Sequence, residues 1–264
     1  MNDISIRITG RAGRVTLNRP QALNALTYEM CLAIEDALDR WSNDTSVDLI
    51  VLDAAGDRAF CSGGDIAELY ATGKAGNYGY GRKFWADEYR LNAKIFSYSK
   101  PVISFMQGFT MGGGVGLGCH GSHRIVGETS QIAMPECGIG LIPDVGGSLL
   151  GDILNNLRAD GGEFALETLT KMGRMSPLAM ASAIEVIHRL RGPSLTIEKA
   201  LDLEYRFTYR AMEHGDFLEG IRAAIIDKDR KPAWQFADMN VPLAATGKML
   251  RPLGNAALTL EITI

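Results

Sequence analysis

The chain opens with alternating apolar and polar residues. Ile4, Ile6 and Ile8 alternate with polar residues, and the alternation resumes at Val15 and Leu17 after a short turn that contains glycine. Alternation with a period of two is typical of a strand that buries one face. Two such runs joined by a short turn predict a β-hairpin, which we expect at the edge of a sheet.

The next segment has the spacing of an amphipathic helix. Thr27 is predicted to cap its N-terminus. The apolar residues that share one face of this helix are Met30, Ile34, Leu38 and Trp41. The mostly apolar run 47–53 follows and has the length of a strand. Because this run hardly alternates, it favours a strand that is buried on both faces.

Strand and helix patterns continue to alternate up to about residue 150. The stretch 58–66 predicts a strand end and a glycine turn that enters a helix. Residues 73–81 are rich in glycine and tyrosine and predict a flexible loop, which fits a lid and a plain surface connection equally well. The elements predicted after this loop are a helix over 84–97 and strands over 101–107, 124–126 and 131–133.

Helical patterns dominate the second half of the chain. The helices predicted there cover residues 153–158, 164–172, 178–190 and 197–214. We therefore predict an α/β core with crossover helices over residues 1–150 and a helical C-terminal region over residues 151–264.

Composition and charge exclude several classes of protein. The 264 residues are 46% hydrophobic and 22% charged, and a net charge of −4 without a basic block argues against a nucleic-acid surface or a polybasic membrane patch. No apolar run is long enough to span a membrane and the N-terminus lacks a signal pattern, so we expect a cytoplasmic location. The four cysteines form no C-x-x-C pair, which favours buried thiols over a disulfide framework or a zinc site.

The run Met111-Gly112-Gly113-Gly114-Val115-Gly116 directly follows a predicted strand. Glycine loses more backbone entropy on folding than any other residue, so the run indicates that backbone N–H groups approach something closely. Its spacing is neither G-x-G-x-x-G nor that of a P-loop, and the sequence has no G-x-S-x-G or H-E-x-x-H motif. Two interpretations remain: close packing of a helix against a strand, or a site for an anion or a carbonyl oxygen.

A second glycine turn, Ser62-Gly63-Gly64-Asp65, also ends an apolar strand. One N–H group from each turn would form an oxyanion hole. Glu136 and Asp144 follow beside prolines, with apolar residues around them. Acids in apolar surroundings have perturbed ionisation, which suits general acid–base chemistry, whereas solvated turn residues are the ordinary alternative. We interpret the four histidines as structural or surface residues.

Three groups of residues resemble a known family. They are Ala59-Phe-Cys-Ser-Gly-Gly-Asp-Ile66, Gly108-Phe-Thr-Met-Gly-Gly-Gly114, and Met134-Pro-Glu136 with Pro143-Asp-Val-Gly-Gly147. In combination they resemble the crotonase (enoyl-CoA hydratase/isomerase) superfamily. Together with the tail 216–232, they are most similar to its 3-hydroxyisobutyryl-CoA hydrolase branch. The resemblance implies a spiral of ββα units that binds an acyl-CoA thioester.

The resemblance also implies roles for individual residues. The N–H groups of Gly64 and Gly113 would hold the thioester oxygen. Glu136 would be the acid–base carboxylate shared across much of the superfamily, and Asp144 the second carboxylate of the hydrolase branch. The residues expected to contact the substrate or its CoA moiety are Asn24, Ala25, Leu26, Gly63, Asp65, Ile66, Gly112 and Gly116.

The same resemblance bears on cofactors and partners. CoA is part of the substrate, so neither a separate cofactor nor a metal is expected. An acyl-CoA thioester is the expected partner, and nucleic acid and membranes are not. A homo-oligomer, either a trimer or a hexamer, is expected because members of the superfamily often form one.

Position 116 separates two reactions. Enoyl-CoA hydratases carry a second glutamate there, whereas this chain has Gly116. Adding water across a C=C bond needs two carboxylates that hold and deprotonate the same water. We therefore predict a hydrolase that acts on 3-hydroxyisobutyryl-CoA, as in valine breakdown. The alternatives are an enoyl-CoA hydratase/isomerase and a protein that binds CoA thioesters without turnover.

One departure from the family concerns the end of the core. In the family a long segment follows Pro-Asp-Val-Gly-Gly, whereas here Leu149 and Leu150 run directly into 151–154, which resembles the later helical part. Either the protein is naturally shortened or a segment of it is absent from the sequence. We favour the second explanation, because both flanks keep the family's pattern.

Overall fold

A computed structural model describes residues 3–142, 161–190 and 196–260. The chain forms two compact units. The first contains residues 1–65, 86–134 and 259–264, and the second contains residues 66–85 and 135–258. These units are defined by how the chain packs. The boundary predicted at residue 150, between an α/β core and a helical region, stays a prediction.

All strands of the described residues belong to the first unit. They are β1 (Ile4–Thr9), β2 (Ala12–Leu17), β3 (Leu49–Ala54), β4 (Ala59–Cys61), β5 (Val102–Phe105), β6 (Phe109–Met111), β7 (His123–Ile125) and β8 (Gln131–Ala133). They form a five-stranded sheet in the order β1-β2-β3-β5-β7 and a three-stranded sheet in the order β4-β6-β8. Only β1 and β2 pair antiparallel; every other pair in the two sheets is parallel, as crossover helices require.

The helices of the described residues lie in both units. They are α1 (Tyr28–Ser42), α2 (Ile66–Lys74), α3 (Tyr78–Phe96), α4 (Gly113–Cys119), α5 (Glu163–Met172), α6 (Pro177–Leu190), α7 (Ile197–His214), α8 (Phe217–Ile221) and α9 (Leu243–Met249). Short 3₁₀ turns cover Pro20–Ala22, Glu136–Ile139 and Gly254–Ala256, and a π-helical turn covers Arg222–Ile226. The N-terminal part of α3 belongs to the second unit and the rest to the first.

The predicted hairpin and first helix are confirmed. Ile4 pairs with Leu17, and β1 is the edge strand of its sheet. The hydroxyl of Thr27 accepts a hydrogen bond from the N–H of Met30 at 3.2 Å, so Thr27 caps α1 as expected. The four predicted apolar residues of α1 are buried.

Two strand predictions need correction. The strand β3 begins at Leu49, and Leu49 and Val51 on one of its faces are only half-buried. Val51 borders a surface cavity that Thr9, Arg14 and Phe105 also line. The strand predicted over 101–107 is found as β5, which ends at Phe105, and a second strand, β6 in the other sheet, leads into the glycine run. Gly108 makes this change of sheet possible: its φ is +58°, and any side chain there would collide with the carbonyl of Arg58.

The predicted loop over 73–81 is wrong. Helix α2 continues to Lys74 and α3 already begins at Tyr78, so only residues 75–77 connect them. The glycines pack closely against other helices, because a β-carbon on Gly73 would collide with Leu218 and one on Gly81 would collide with Met212.

A stacked arginine also anchors the start of α3. The guanidinium of Arg82 lies 4.0 Å from the ring centre of Tyr209 and 2.7 Å from the carboxylate of Glu213. These contacts fasten α3 to α7, and they account for regular helix where composition predicted a loop.

The helical region agrees with the pattern of the sequence. Helices α5, α6 and α7 match the predicted ranges to within one residue. The helix predicted over 153–158 lies outside the described residues. No helix in the described part of the chain is long and apolar enough to cross a membrane.

Candidate active site

The two glycine turns leave the same edge of the three-stranded sheet. Strands β4 and β6 pair in parallel, with Cys61 opposite Thr110. The turn at Gly63 and Gly64 follows β4 directly, and the glycine run follows β6. Because the carboxyl ends of parallel strands meet at one edge, the turns emerge side by side.

In the first turn, the N–H of Gly64 donates to no backbone carbonyl of the described residues. Gly63 has φ of +111°, a conformation that side chains disfavour. Its carbonyl accepts a hydrogen bond from the N–H of Leu26 at 2.8 Å, and the N–H of Asp65 donates to the carbonyl of Leu26 at 2.8 Å. These two bonds form the bridge between Leu26 and Gly64. The N–H of Gly64 itself takes no part in this bridge.

The second turn presents a matching donor. Gly112 has φ of +51° and precedes α4, whose first residue is Gly113. The N–H of a first helical residue has no carbonyl partner within its helix. The nitrogen of Gly64 lies 3.5 Å from the position that a β-carbon on Gly113 would occupy. The two N–H groups named by the sequence are therefore brought close together.

Close packing explains Gly114 of this run and Gly118 just after it. A β-carbon on Gly114 would lie 2.9 Å from the β-carbon of Cys61, and one on Gly118 would lie 3.1 Å from Phe60. The packing interpretation of the glycine run thus applies to Gly114, and a carbonyl-oxygen site at Gly113 stays a prediction. Gly112 and Gly113 shape the turn, whereas Gly114 and Gly118 let α4 approach β4.

The structure adds a carboxylate that the sequence predictions missed. Glu88 on α3 is only 7% exposed, and a side chain on Gly113 would collide with its carboxylate. Burial raises the pKa of Cys61 to about 12, and the charge of Glu88 adds to the effect. A usable signal was present: Glu88 falls between the apolar residues Phe84 and Leu91, on the buried side of the predicted helix.

A buried ionic cluster fixes α3 against α1. Arg90 donates to both carboxylate oxygens of Glu35 at 2.7 and 2.6 Å and to Asp87 at 2.7 Å. Lys94 donates to Glu35 at 3.1 Å, and the hydroxyl of Tyr28 donates to Asp87. Burial acts to raise the pKa of Glu35, but the hydrogen bonds from Arg90 and Lys94 outweigh it and lower that pKa.

Gly116 faces a second polar residue of α3. A β-carbon on Gly116 would lie 2.7 Å from Oδ1 and 2.8 Å from Nδ2 of Asn92. Asn92 is 6% exposed and lies one helical turn after Glu88. The space beside Gly116 is therefore filled by the amide of Asn92.

The early loop is held by its own hydrogen bonds. The side-chain amide of Asn24 donates to the carbonyls of Ala55 and Ala59 at 2.9 and 2.8 Å and accepts from the N–H of Arg19 at 2.8 Å. Arg19 also donates to the carbonyl of Ala25 at 2.7 Å and to Asp65 at 2.9 Å. The side chain of Asn24 is thus used inside the loop, and contact of this loop with CoA stays a prediction.

Glu136 begins a 3₁₀ turn in the second unit. Its carbonyl accepts a hydrogen bond from the N–H of Leu141 at 3.0 Å, and Leu141 and Ile142 are buried as the apolar surroundings predicted. The carbonyl of Cys137 accepts from the N–H of Ser176 at 3.0 Å, which ties the turn to α6. Burial raises the pKa of Cys137 to about 12, with a contribution from the charge of Glu136.

Two further predicted site residues need separate mention. Asp144 lies outside the described residues. Ile66 is the first residue of α2 and belongs to the second unit. In the described ranges 3–142, 161–190 and 196–260, no cluster of three or more His, Cys, Asp or Glu side chains could hold a metal ion.

The described residues combine an α/β fold with two glycine turns at one edge of a parallel sheet. The chain belongs to the enoyl-CoA hydratase/isomerase family, whose sequence model matches residues 12–152 and 149–246. The expected family is thereby confirmed. The two matched stretches meet at residues 149–152.

Curated relatives cover most of the chain. The protein named "3-hydroxyisobutyryl-CoA hydrolase, mitochondrial" of Rattus norvegicus is 32% identical over 331 residues, which cover 90% of this chain and 85% of that protein. The protein of the same name from Danio rerio is 30% identical over 328 residues, with 89% and 85% covered. Both alignments are longer than the 264 residues of this chain, so the relatives contain residues without a counterpart here.

Solved structures confirm the crotonase-like α/β fold. An enoyl-CoA hydratase from Rhodobacter sphaeroides 2.4.1 is 44% identical with a TM-score of 0.94, and the match covers 98% of this chain and 100% of that chain. A carnitinyl-CoA dehydratase from Mycobacterium thermoresistibile is 30% identical with a TM-score of 0.92, and 99% of each chain is covered.

Proposed function

We propose that this protein hydrolyses an acyl-CoA thioester, with 3-hydroxyisobutyryl-CoA as its substrate and 3-hydroxyisobutyrate and CoA as products. The observation that carries the proposal is the approach of the Gly64 nitrogen to Gly113, which sets two backbone donors at one place. The names of the curated relatives supply the substrate. Gly116 supports hydrolysis over hydration, because it replaces the second glutamate that hydration needs.

In the proposed reaction the thioester oxygen accepts hydrogen bonds from Gly64 and Gly113. Attack on the carbonyl carbon turns this oxygen into an oxyanion, which the two donors stabilise. The C–S bond then breaks, and the CoA sulfur leaves and takes a proton. Water supplies the hydroxyl group of the free acid.

Glu136 supplies the carboxylate chemistry in this proposal. It acts either as the general base that deprotonates water or as the nucleophile that forms an anhydride, which water then hydrolyses. Asp144, the second carboxylate of the hydrolase branch, orients the substrate or the water. Both roles rest on the resemblance of the motifs Met134-Pro135-Glu136 and Pro143-Asp144.

Enoyl-CoA hydration is the second candidate. It is favoured by the hydratase from Rhodobacter sphaeroides, whose identity of 44% exceeds that of the curated hydrolases. Gly116 opposes it for the reason given above. Binding of CoA thioesters without turnover is the third candidate, and it follows if Asp144 lacks structural support.

Release of free CoA from 3-hydroxyisobutyryl-CoA, measured by thiol titration, tests the proposal. Glu136→Gln is expected to abolish release, and Glu128→Gln, an exposed carboxylate on the β7–β8 connection, serves as the matched control. Loss of the conjugated double-bond absorbance of crotonyl-CoA, without thiol release, would instead establish hydration. Calorimetric CoA binding without either reaction would establish a binding protein.

A homo-oligomer, a cytoplasmic location and a role in valine breakdown complete the proposal. The curated relatives are named as mitochondrial, which describes those proteins. Sedimentation of the purified chain tests the expected trimer or hexamer.

A further inference from the structure

Asn92 carries a buried acceptor that lacks a hydrogen bond from any residue that the structure describes. The residue is 6% exposed, and within the described part of the chain its Oδ1 accepts no hydrogen bond. An unmet buried acceptor costs about 1–3 kcal/mol, so such groups are rare and call for an explanation. A ligand that donates to Oδ1 would remove this cost.

The position of the amide indicates which part of a ligand it meets. A β-carbon on Gly116 would lie 3.0 Å from Cγ of Asn92, so the amide occupies the direction in which a side chain at position 116 would extend. In enoyl-CoA hydratases that side chain is the glutamate that holds the water added to the double bond. A group in the same place lies beside the substituent on C3 of an acyl chain.

We propose that Oδ1 of Asn92 accepts a hydrogen bond from the 3-hydroxyl group of the acyl chain and so selects 3-hydroxyacyl-CoA over its deoxy analogue. This inference rests on the proposed function, because the hydroxyl belongs to the proposed substrate. It adds a specificity residue that motif comparison did not indicate. The replacement of glutamate by Gly116 and the orphaned amide of Asn92 then form one adaptation: removal of one side chain makes room for the other.

Glu88 is the other polar residue on this face of α3. It already has an interaction partner, whereas Oδ1 of Asn92 has no hydrogen-bond partner among the described residues. Binding a hydroxyl therefore satisfies Asn92 without breaking an existing contact. A hydroxyl bound to Glu88 would leave the acceptor of Asn92 buried and unmet.

The test measures binding and needs no turnover. Two stable thioethers, S-(3-hydroxy-2-methylpropyl)-CoA and S-isobutyl-CoA, differ only in the hydroxyl group, and calorimetry gives both dissociation constants. The wild-type protein is expected to bind the hydroxylated compound about tenfold more tightly, the effect of one good hydrogen bond. Asn92→Leu, which has similar size and no acceptor, is expected to reduce this ratio to about one.

Two variants serve as controls. Asn92→Asp keeps an oxygen acceptor and is expected to retain a preference for the hydroxylated compound. Ser104→Ala removes another fully buried hydroxyl that lacks a hydrogen-bond partner in the described chain, and it is expected to leave the ratio unchanged. Thermal melting of each variant establishes that it folds.

The outcomes separate this inference from the proposed function. If thiol release fails but the binding ratio depends on Asn92, hydrolysis is wrong and the hydroxyl contact stands. If Asn92→Leu keeps the wild-type ratio, or if wild type shows no preference, the inference is wrong. It is equally wrong if Glu88→Gln, and not Asn92→Leu, abolishes the preference, because the contact then belongs to Glu88.

Discussion

The nitrogen of Gly64 lies 3.5 Å from the place where a β-carbon on Gly113 would be. A single methyl group at position 113 would therefore stand directly against a backbone donor. It would also collide with the carboxylate of Glu88. The carboxylate of Glu88 therefore has to move before a methyl group can occupy the space beside the N–H of Gly64.

Gly113→Ala is expected to lower kcat/KM for thioester hydrolysis by about 100-fold, the effect of losing one oxyanion donor. The new methyl group obstructs the place where the thioester oxygen would bind. The fold is retained because the carboxylate of Glu88 can move. Steady-state kinetics with melting curves check this. Gly247→Ala in α9, where a β-carbon meets nothing within 4 Å, is the matched control and should keep full activity. Equal rates in the two variants would contradict the assignment.

Gly114→Ala is expected to destabilise the protein by about 1–3 kcal/mol, the usual cost of overpacking. A β-carbon at this position meets the backbone of Cys61, which cannot move without disturbing β4. Urea unfolding compared with Gly247→Ala measures the difference. A stability equal to that of the control would show that α4 has room to shift away from β4.

Gly116→Glu and Asn92→Ala are expected to be coupled. The glutamate alone collides with the amide of Asn92, so it should lower the melting temperature. Asn92→Ala makes room, and the double variant should be more stable than the sum of the single effects, with a coupling of about 1 kcal/mol or more. It should also gain hydration of crotonyl-CoA, since two carboxylates are then present. Strict additivity would show that the two side chains do not share this space.

The contribution of Glu35 to stability is expected to disappear in acid. Its pKa is lowered in the folded state, so its ionised form favours folding above the unfolded-state pKa, and this gain is lost as pH falls through the folded-state pKa. At pH 7, Glu35→Gln should cost about 1–3 kcal/mol, because Arg90 and Lys94 lose charged acceptors. Urea unfolding from pH 7 down to about pH 3 should show this difference shrinking. A difference independent of pH would contradict the assignment.

The cysteines are expected to resist alkylation in the folded protein. Burial raises the pKa of Cys61 and of Cys137 to about 12 and raises that of Cys31 well above its usual range. The reactive thiolate is therefore scarce at pH 8. Iodoacetamide labelling followed by mass spectrometry should modify these residues only after denaturation, and the denatured protein is its own control. Rapid labelling of native Cys61 would show that β4 opens.

The glycine turns could be predicted from sequence because their evidence is local. A run of glycines after a strand has few explanations, and its spacing excluded the nucleotide-binding ones. The glycines of 73–81 led to a wrong prediction. A glycine can give the backbone conformational freedom or leave space for a neighbouring side chain, and the local sequence does not show which. Gly73 and Gly81 provide space for Leu218 and Met212, which are distant in sequence.

Glu88 and Asn92 show where sequence reasoning stopped. Both lie on a helix that was predicted correctly, but their importance depends on the packing of α3 against α4. An acid or amide on an apolar helix face can have many roles. The glycines opposite Glu88 and Asn92 show that these two side chains fill the space beside the turn and helix α4. The facing glycine is the more general signal, because it marks the position that a neighbouring side chain has taken.

The three-residue strands β4 and β6 have a consequence for how the protein acquires its site. Gly64 and Gly113 are remote along the chain and are brought together by the pairing of these strands. A slip of one residue would turn each strand over and separate the donors. During refolding, ligand binding should thus return in one step with sheet pairing, later than the helical signal, since loop closure must precede such a remote contact.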